Sequence, residues 1–178
     1  LASTQLDKVD DGHIEVKKAV ADVEERTEKL LGIGGARTPD SFHRELGNII
    51  WNNCGMARNG KDLQGAIDRI PVLRDEFWQN LKVTGTGESL NQTLEKAGRV
   101  ADFMELGELM CRDGLARDAS CGCHHREEHV TEAGEAARND ADYQYVAAWE
   151  FTGDVSKPTL HKEALEFEYV KPVQRSYK

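Results

Sequence analysis

Long apolar runs are missing from this 178-residue sequence. No stretch approaches the roughly 18 uninterrupted apolar residues that a membrane-spanning helix needs. The first residues, Leu1-Ala2-Ser3-Thr4, form neither a basic n-region nor an apolar h-region, so the expectation is a chain without a membrane span or an export signal of its own. Positive charge is also short. The 23 basic residues face 32 acidic ones, a net charge of −9 that argues against general affinity for nucleic acid or anionic lipid. Cysteine is limited to Cys54, Cys111, Cys121 and Cys123, with no CxxC pair and no spacing of a disulfide framework, and a reducing cytoplasm is the simpler expectation. A phosphate-binding glycine loop is absent too, because Gly32-Ile33-Gly34-Gly35 lacks the third glycine at the required spacing and follows a helical pattern. No arrangement of Ser, His and Asp stands above chance.

What is present is helical periodicity. Residues 13–31 place Val16, Val20, Val23, Thr27 and Leu30 at steps of three and four, the pattern of an amphipathic helix. Thr38-Pro39-Asp40 then offers a cap, a proline suited to the first helical position and an acid that suits the helix dipole. The second helix is expected to reach about Arg58, with Phe42, Leu46, Ile49, Ile50 and Cys54 on one face and Trp51 and Met56 widening it. A third stripe, Leu63, Ile67, Ile70, Phe77 and Leu81, contains Pro71, where a kink is expected. Ser89 with Gln92 reads as a capping box for a fourth helix to about Ala116. Its face is Leu94, Ala97, Ala101, Met104, Cys111 and Leu115, and Gly98, Gly107 and Gly114 are expected to mark close packing. Such helices with short connectors should pack as an antiparallel bundle.

Composition turns polar from Val130 to Asp142, which reads as an exposed connection, and then the period changes to two. Tyr143, Tyr145, Ala147, Trp149 and Phe151 alternate with neighbours, as later do Leu165, Phe167 and Tyr169, so two strands joined by a loop holding Gly153 and Pro158 are expected. A lone hairpin is marginal in water, and its aromatic face should rest on the bundle or on something outside this chain.

The stretch between helix and tail holds the side chains with chemistry. His125-Arg126-Glu127-Glu128-His129 fits the H-x-x-E-H spacing of inverted zinc peptidases, in which two histidines one helical turn apart hold the metal and the glutamate activates water. On that alternative the chain would be an independent zinc-dependent hydrolase using His125, Glu128 and His129, although no distant third ligand stands out among His13, His43 and His161. A second reading makes His124 and Arg126 an electrostatic site for an anion or for a partner's carboxylates. A third is a polar loop whose charges bond locally.

Three stretches together resemble one family. They are Phe42-His43-Arg44-Glu45-Leu46 continuing to Trp51-Asn52-Asn53-Cys54-Gly55-Met56-Ala57-Arg58-Asn59, then Leu73-Arg74-Asp75-Glu76-Phe77-Trp78, and Gly122-Cys123-His124-His125-Arg126-Glu127-Glu128. They are similar to the carboxy-terminal part of the flavoprotein subunit of succinate dehydrogenase and fumarate reductase. Trp149-Glu150-Phe151 and the ending Arg175-Ser176-Tyr177-Lys178 are similar to the bacterial quinone-linked members, and the β tail favours these over the related aspartate oxidases.

The resemblance implies a mostly α fold, an antiparallel three-helix bundle with an extra N-terminal helix, followed by a small tail containing a β-hairpin. It divides the chain into residues 1–35 leading in from an upstream flavin domain, a bundle at 36–130 and a tail at 131–178. It implies a parent enzyme that interconverts succinate and fumarate with FAD. The FAD-binding and capping domains lie upstream, with the flavin-linked histidine and the dicarboxylate-binding residues, and no stretch here matches them. Neither catalytic nor cofactor-binding residues are expected in this chain, which alone should be inactive, colourless and metal-free. The family's Gly-x-His-x-Arg-x-Asp-aromatic-Pro motif falls on Gly122, His124, Arg126 and Glu128, with Glu128 in place of Asp, and His129 and Val130 in place of the aromatic and Pro. These four residues are the candidates for docking onto the upstream FAD and capping domains. The iron–sulfur subunit is the expected further partner, a membrane anchor subunit enters only indirectly, and the location is the cytoplasmic face of the inner membrane. Separated from its neighbours, the chain is expected to expose an apolar face and to dimerise.

Overall fold

The computed structural model describes residues 10–173, so the readings at Leu1–Thr4 and Arg175–Lys178 lie outside the described residues. Four long helices come first: α1 (Ile14–Gly32), α2 (Pro39–Asn53), α3 (Gly60–Asn80) and α4 (Gln92–Ala116). Strand β1 (Ala57–Arg58) lies between α2 and α3. After α4 come β2 (His125–Arg126), the single turn α5 (Asp140–Tyr143), β3 (Tyr145–Glu150) and β4 (Thr159–Ala164). The mostly helical fold with a small β tail is as the sequence implies.

Helices α2, α3 and α4 form the bundle, and their apolar stripes meet in one core of Phe42, Leu46, Ile49, Leu63, Ile70, Phe77, Ala97 and Met104 among others. Phe42 and Phe77 are fully buried with ring centroids 5.2 Å apart at an edge-to-face 73°, a favourable aromatic geometry. Contacts advance in step along α2 and α4: Lys96 bonds Asp40, and Gly107 lies against Leu46 and Ile50. The two helices therefore run side by side in the same direction, with α3 antiparallel to both. A Cβ at position 107 would stand 3.3 Å from the Ile50 Cδ1, so glycine is what permits this approach. Gly114 packs in the same way on Leu63, whereas a Cβ at Gly98 would meet nothing within 4 Å, so Gly98 is not the close-packing point expected of it.

One charged group is sunk in this core. The Glu108 side chain on α4 is 1% exposed and takes Arg74 of α3 at 2.6 Å and Arg112 at 2.7 Å. A buried carboxylate is tolerated only when its charge is matched.

Several boundaries differ from the sequence expectation. Helix α2 stops at Asn53 with Cys54 as its cap, because Ala57 and Arg58 pair as a strand, and Trp51 and Met56 are 83% and 89% exposed rather than part of the apolar face. Helix α3 runs through Pro71 without ending. Asn91, not Ser89, caps α4, its side chain accepting from the Leu94 N–H at 3.1 Å. Of the α1 stripe only Leu30 is buried, while Val20 and Val23 face outward. Helix α1 is tied to α4 by Arg26, which reaches Asp102 and the Gly98 carbonyl, and to α3 by Lys29 over the Trp78 ring.

In the tail, β3 and β4 pair antiparallel from Tyr145 opposite Ala164 to Glu150 opposite Thr159. The second strand thus lies before Leu165, not over Leu165–Tyr169. The hairpin rests on the bundle through Trp149, whose Nε1–H donates to Asp113 at 2.8 Å, and through Arg117, which donates to the Tyr143 and Tyr145 carbonyls and stacks on the Tyr145 ring. The connection after Val130 is more ordered than an open linker, since Thr131 and Glu135 close a turn and Val130 bridges Ala136.

Replacing the buried Phe77 with Ala should destabilise the chain by about 3–5 kcal/mol. Trp51→Ser, at an exposed position, should stay within about 0.5 kcal/mol of the parent. Urea unfolding of both variants checks this, and equal losses would show that the core is misassigned.

Candidate functional site: the loop between α4 and the β tail

Residues 117–129 leave the end of α4, turn twice and return beside the start of α3. The first turn is Cys121–His124, closed by backbone bonds in both directions between those two residues at 2.9 and 3.1 Å. Gly122 has φ +59 and is the only central residue of this turn with positive φ, the arrangement of a type II′ turn, which calls for glycine there. The second turn follows Arg126, with His129 N–H donating to the Arg126 carbonyl at 2.9 Å. A tight turn therefore forms although Glu128, His129 and Val130 replace the family's Asp, aromatic and Pro.

Between the turns, β2 pairs in parallel with β1, His125 opposite Ala57 and Arg126 opposite Arg58. Ser120, fully buried, holds both main-chain groups of Arg126: its Oγ accepts from the Arg126 N–H at 2.8 Å and donates to the Arg126 carbonyl at 3.1 Å.

The Arg126 side chain is 4% exposed, and every part of its guanidinium has a partner. Nη1 donates to the Gly114 carbonyl at 3.1 Å in the last turn of α4. Nε donates to Glu128 at 3.2 Å, and Nη2 lies 3.1 Å from Asp118 and 3.4 Å from Glu128. A cation at a helix C-terminus answers the negative end of the dipole. Glu128 in turn accepts from the Gly60 N–H at the first residue of α3, where an anion answers the positive end. Asn59 beside it caps the helix through Asp62 N–H and reaches Glu127. One ion pair thus joins the end of α4 to the start of α3.

Partial burial would raise the Glu128 carboxyl, but the Arg126 guanidinium and the Gly60 N–H outweigh it and bring the pKa down to about 2.

His124 is the second fixed point. Its Nε2 is 2.8 Å from the Arg117 carbonyl, which can only accept, so Nε2 carries the proton and the bare Nδ1 accepts from Arg58 at 3.0 Å. Burial is the main cause that lowers its pKa; the Arg117 carbonyl opposes it, and the charges of Arg58, Arg126 and Arg117 reinforce it. The ring is thereby held neutral.

The structure brings Gly122, His124, Arg126 and Glu128 into one loop. It does not support the zinc alternative. His125 and His129 could share a face only if 125–129 were helical, and this stretch is a strand followed by a turn. Glu128 faces Arg126 and Gly60, and His129 bonds Asp118 at 2.6 Å. Among the described residues no group of three or more His, Cys, Asp or Glu is placed to hold a metal. The Gly32–Gly35 loop follows α1 rather than a strand. Arg58, Asn59, Gly60, Arg117 and Ser120 complete the site and were not singled out from sequence. Arg58 and Asn59 stood inside a family-like stretch, while Ser120 gave no signal before its geometry was visible.

The fold and loop define a helical-bundle module closed by an arginine-centred turn. The family model described as "Fumarate reductase flavoprotein C-term" matches residues 43–177. The chain is 26% identical over 118 residues to the fumarate reductase flavoprotein subunit of Escherichia coli K12, covering 66% of this chain and 19% of that protein. It is 23% identical over 158 residues to the fumarate reductase flavoprotein subunit of Serratia sp., covering 88% and 25%. A solved structure of quinol-fumarate reductase with menaquinol molecules shares the fold with a TM-score of 0.76 at 21% identity, over 93% of this chain and 28% of that one. This chain belongs to the fumarate reductase flavoprotein C-terminal family, and it spans about a fifth to a quarter of the length of these curated relatives.

Both His124 and Glu128 have folded pKa values below their ordinary ones, so the native state takes up protons less readily than the unfolded chain. Their stabilisation is full above the unfolded values and is lost on acidification. For His124 the loss begins as pH falls through 6.5, and for Glu128 it runs from 4.5 toward about 2. Melting temperature against pH should therefore fall in two stages, and His124→Gln should flatten the first; an unchanged first stage would remove His124 as its source.

Proposed function

We propose that this chain acts as the C-terminal domain of a FAD-dependent flavoprotein that interconverts succinate and fumarate, and that it performs no chemistry itself. The match of the family model over residues 43–177 carries this reading. FAD belongs to upstream domains, electrons pass on to an iron–sulfur subunit, and a membrane anchor subunit is reached only through that subunit. The assembly works at the cytoplasmic face of the inner membrane, and this chain contributes no helix long and apolar enough to cross it among the described residues.

The bundle at 36–130 docks on the FAD and capping domains through the loop that carries Gly122, His124, Arg126 and Glu128, with residues 1–35 leading in and the tail at 131–178 flanking it. Arg126 is buried and His124 is half-buried, with both of its ring nitrogens engaged, so their part is to hold the shape that the loop presents. The exposed members, Cys121, Gly122, Cys123, Glu127 and Glu128, supply the contacting surface. A net charge of −9 supports the absence of nucleic acid from the partners.

The test is Arg126→Ala in the full-length parent. Removing the guanidinium takes the paired cation from Glu128 and the donor from the Gly114 carbonyl, and flavin retention should fall together with turnover, the latter by at least about tenfold. Unchanged stability, flavin content and turnover would exclude a docking role for the loop.

A further inference from the structure

The apolar stripe of α1 reaches the core only at its last member. Leu30 is buried there, and Arg26 and Lys29 beside it hold α4 and α3. The rest of the stripe lies roughly a quarter turn round the helix from that contact. Val20 is 51% and Val23 64% exposed, and with His13, Val16 and Ala19 they line one shallow apolar hollow.

The spacing is stricter than an amphipathic helix requires. His13, Val16, Val20, Val23, Thr27 and Leu30 alternate steps of three and four without a break, the heptad pattern by which one helix seats against another.

We propose that a second copy of this chain covers this face, the two α1 helices packing antiparallel about a two-fold axis that passes between Ala21 and Asp22. The layers are then Val20 opposite Val23 of the second copy and Val16 opposite Thr27, each occurring twice. Exposed charges beside the stripe select this arrangement. Lys17 follows Val16 and Glu24 follows Val23, so both occupy the flanking position that meets its own counterpart across an antiparallel pair. With the axis between Ala21 and Asp22, Lys17 meets Glu24 of the second copy and Glu24 meets Lys17, giving two ion pairs from one symmetric contact. A shift of one heptad in either direction sets Lys17 against Lys17 or Glu24 against Glu24. In a parallel pair the same two side chains face Gly12 and Ala19, and no charge is matched.

The bundles do not obstruct the contact. Each joins its own α1 near Arg26 to Leu30, so antiparallel packing sets the two bundles at opposite ends of the helix pair. A two-helix contact of this length is small, below about 1,200 Å², and the association is accordingly weak and reversible. It uses none of the residues of the docking loop and stands or falls apart from that role.

The test is sedimentation equilibrium of the intact purified chain, from about 10 μM to about 1 mM, where a weak pair becomes populated by mass action. The expected result is a monomer–dimer equilibrium that Val20→Asp shifts to monomer. Lys17→Glu and Glu24→Lys should each lower the association constant about tenfold, because each turns two attractions into two repulsions, and the double exchange should restore it to within about threefold. All three positions are exposed, so the melting temperatures of the variants should stay close to that of the parent. A chain that is monomeric throughout would overturn the proposal and leave the face to a different protein. A dimer that Val20→Asp does not weaken would overturn it as well, as would single charge variants that the double exchange does not rescue.

Discussion

A buried guanidinium must have every donor matched, because an unpaired charge away from water costs several kcal/mol. Arg126 meets that demand with the Gly114 carbonyl at the end of α4, with Asp118, and with Glu128, which itself reaches the first N–H of α3. The shape of the loop follows from this matching. Ser120 fixes the backbone on either side of the arginine, β1 and β2 set its height against the bundle, and His124 ties the loop to Arg58 and Arg117.

The same device appears once more in the bundle. Glu108, also buried, is matched by Arg74 of α3 and Arg112 of its own helix. Helices α3 and α4 are thus joined by charge at two heights. The seam between α2 and α4 differs in that its charge pair, Lys96–Asp40, is exposed, while its buried part rests on Leu46 and Ile50 against a helix that glycine allows to come close. Charge fixes the register of one pair, and close apolar packing fixes the other.

The helices were legible because their apolar residues recur at helical spacing, and Thr38-Pro39 announced the start of α2 on chemistry alone. Ends were less legible. Cys54 to Arg58 continues the α2 composition, and only the partner strand at His125–Arg126, far along the chain, draws Ala57 and Arg58 out of the helix. Asn91 outcompeted Ser89 because its amide also donates to the Thr84 and Thr86 carbonyls, a contact outside any short pattern. Strand β4 was misplaced because Leu165, Phe167 and Tyr169 alternate more cleanly than Thr159–Ala164, whose side chains are nearly all exposed and whose order comes from backbone pairing. For the loop, family-like spacing found His124 and Arg126, but their role depends on Arg58 and Gly60, which only the folded chain brings near.

The pairing of β1 with β2 has a consequence for the order of assembly. Its flanking contact between Asn59 and Glu127 spans 68 residues, while the bonds formed are few. Closing so large a loop gains little until α3 and α4 have already packed and brought its ends together. The arginine turn is therefore a late event in folding and among the first parts to open, so its protection against amide hydrogen exchange would register whether the bundle beneath it is complete.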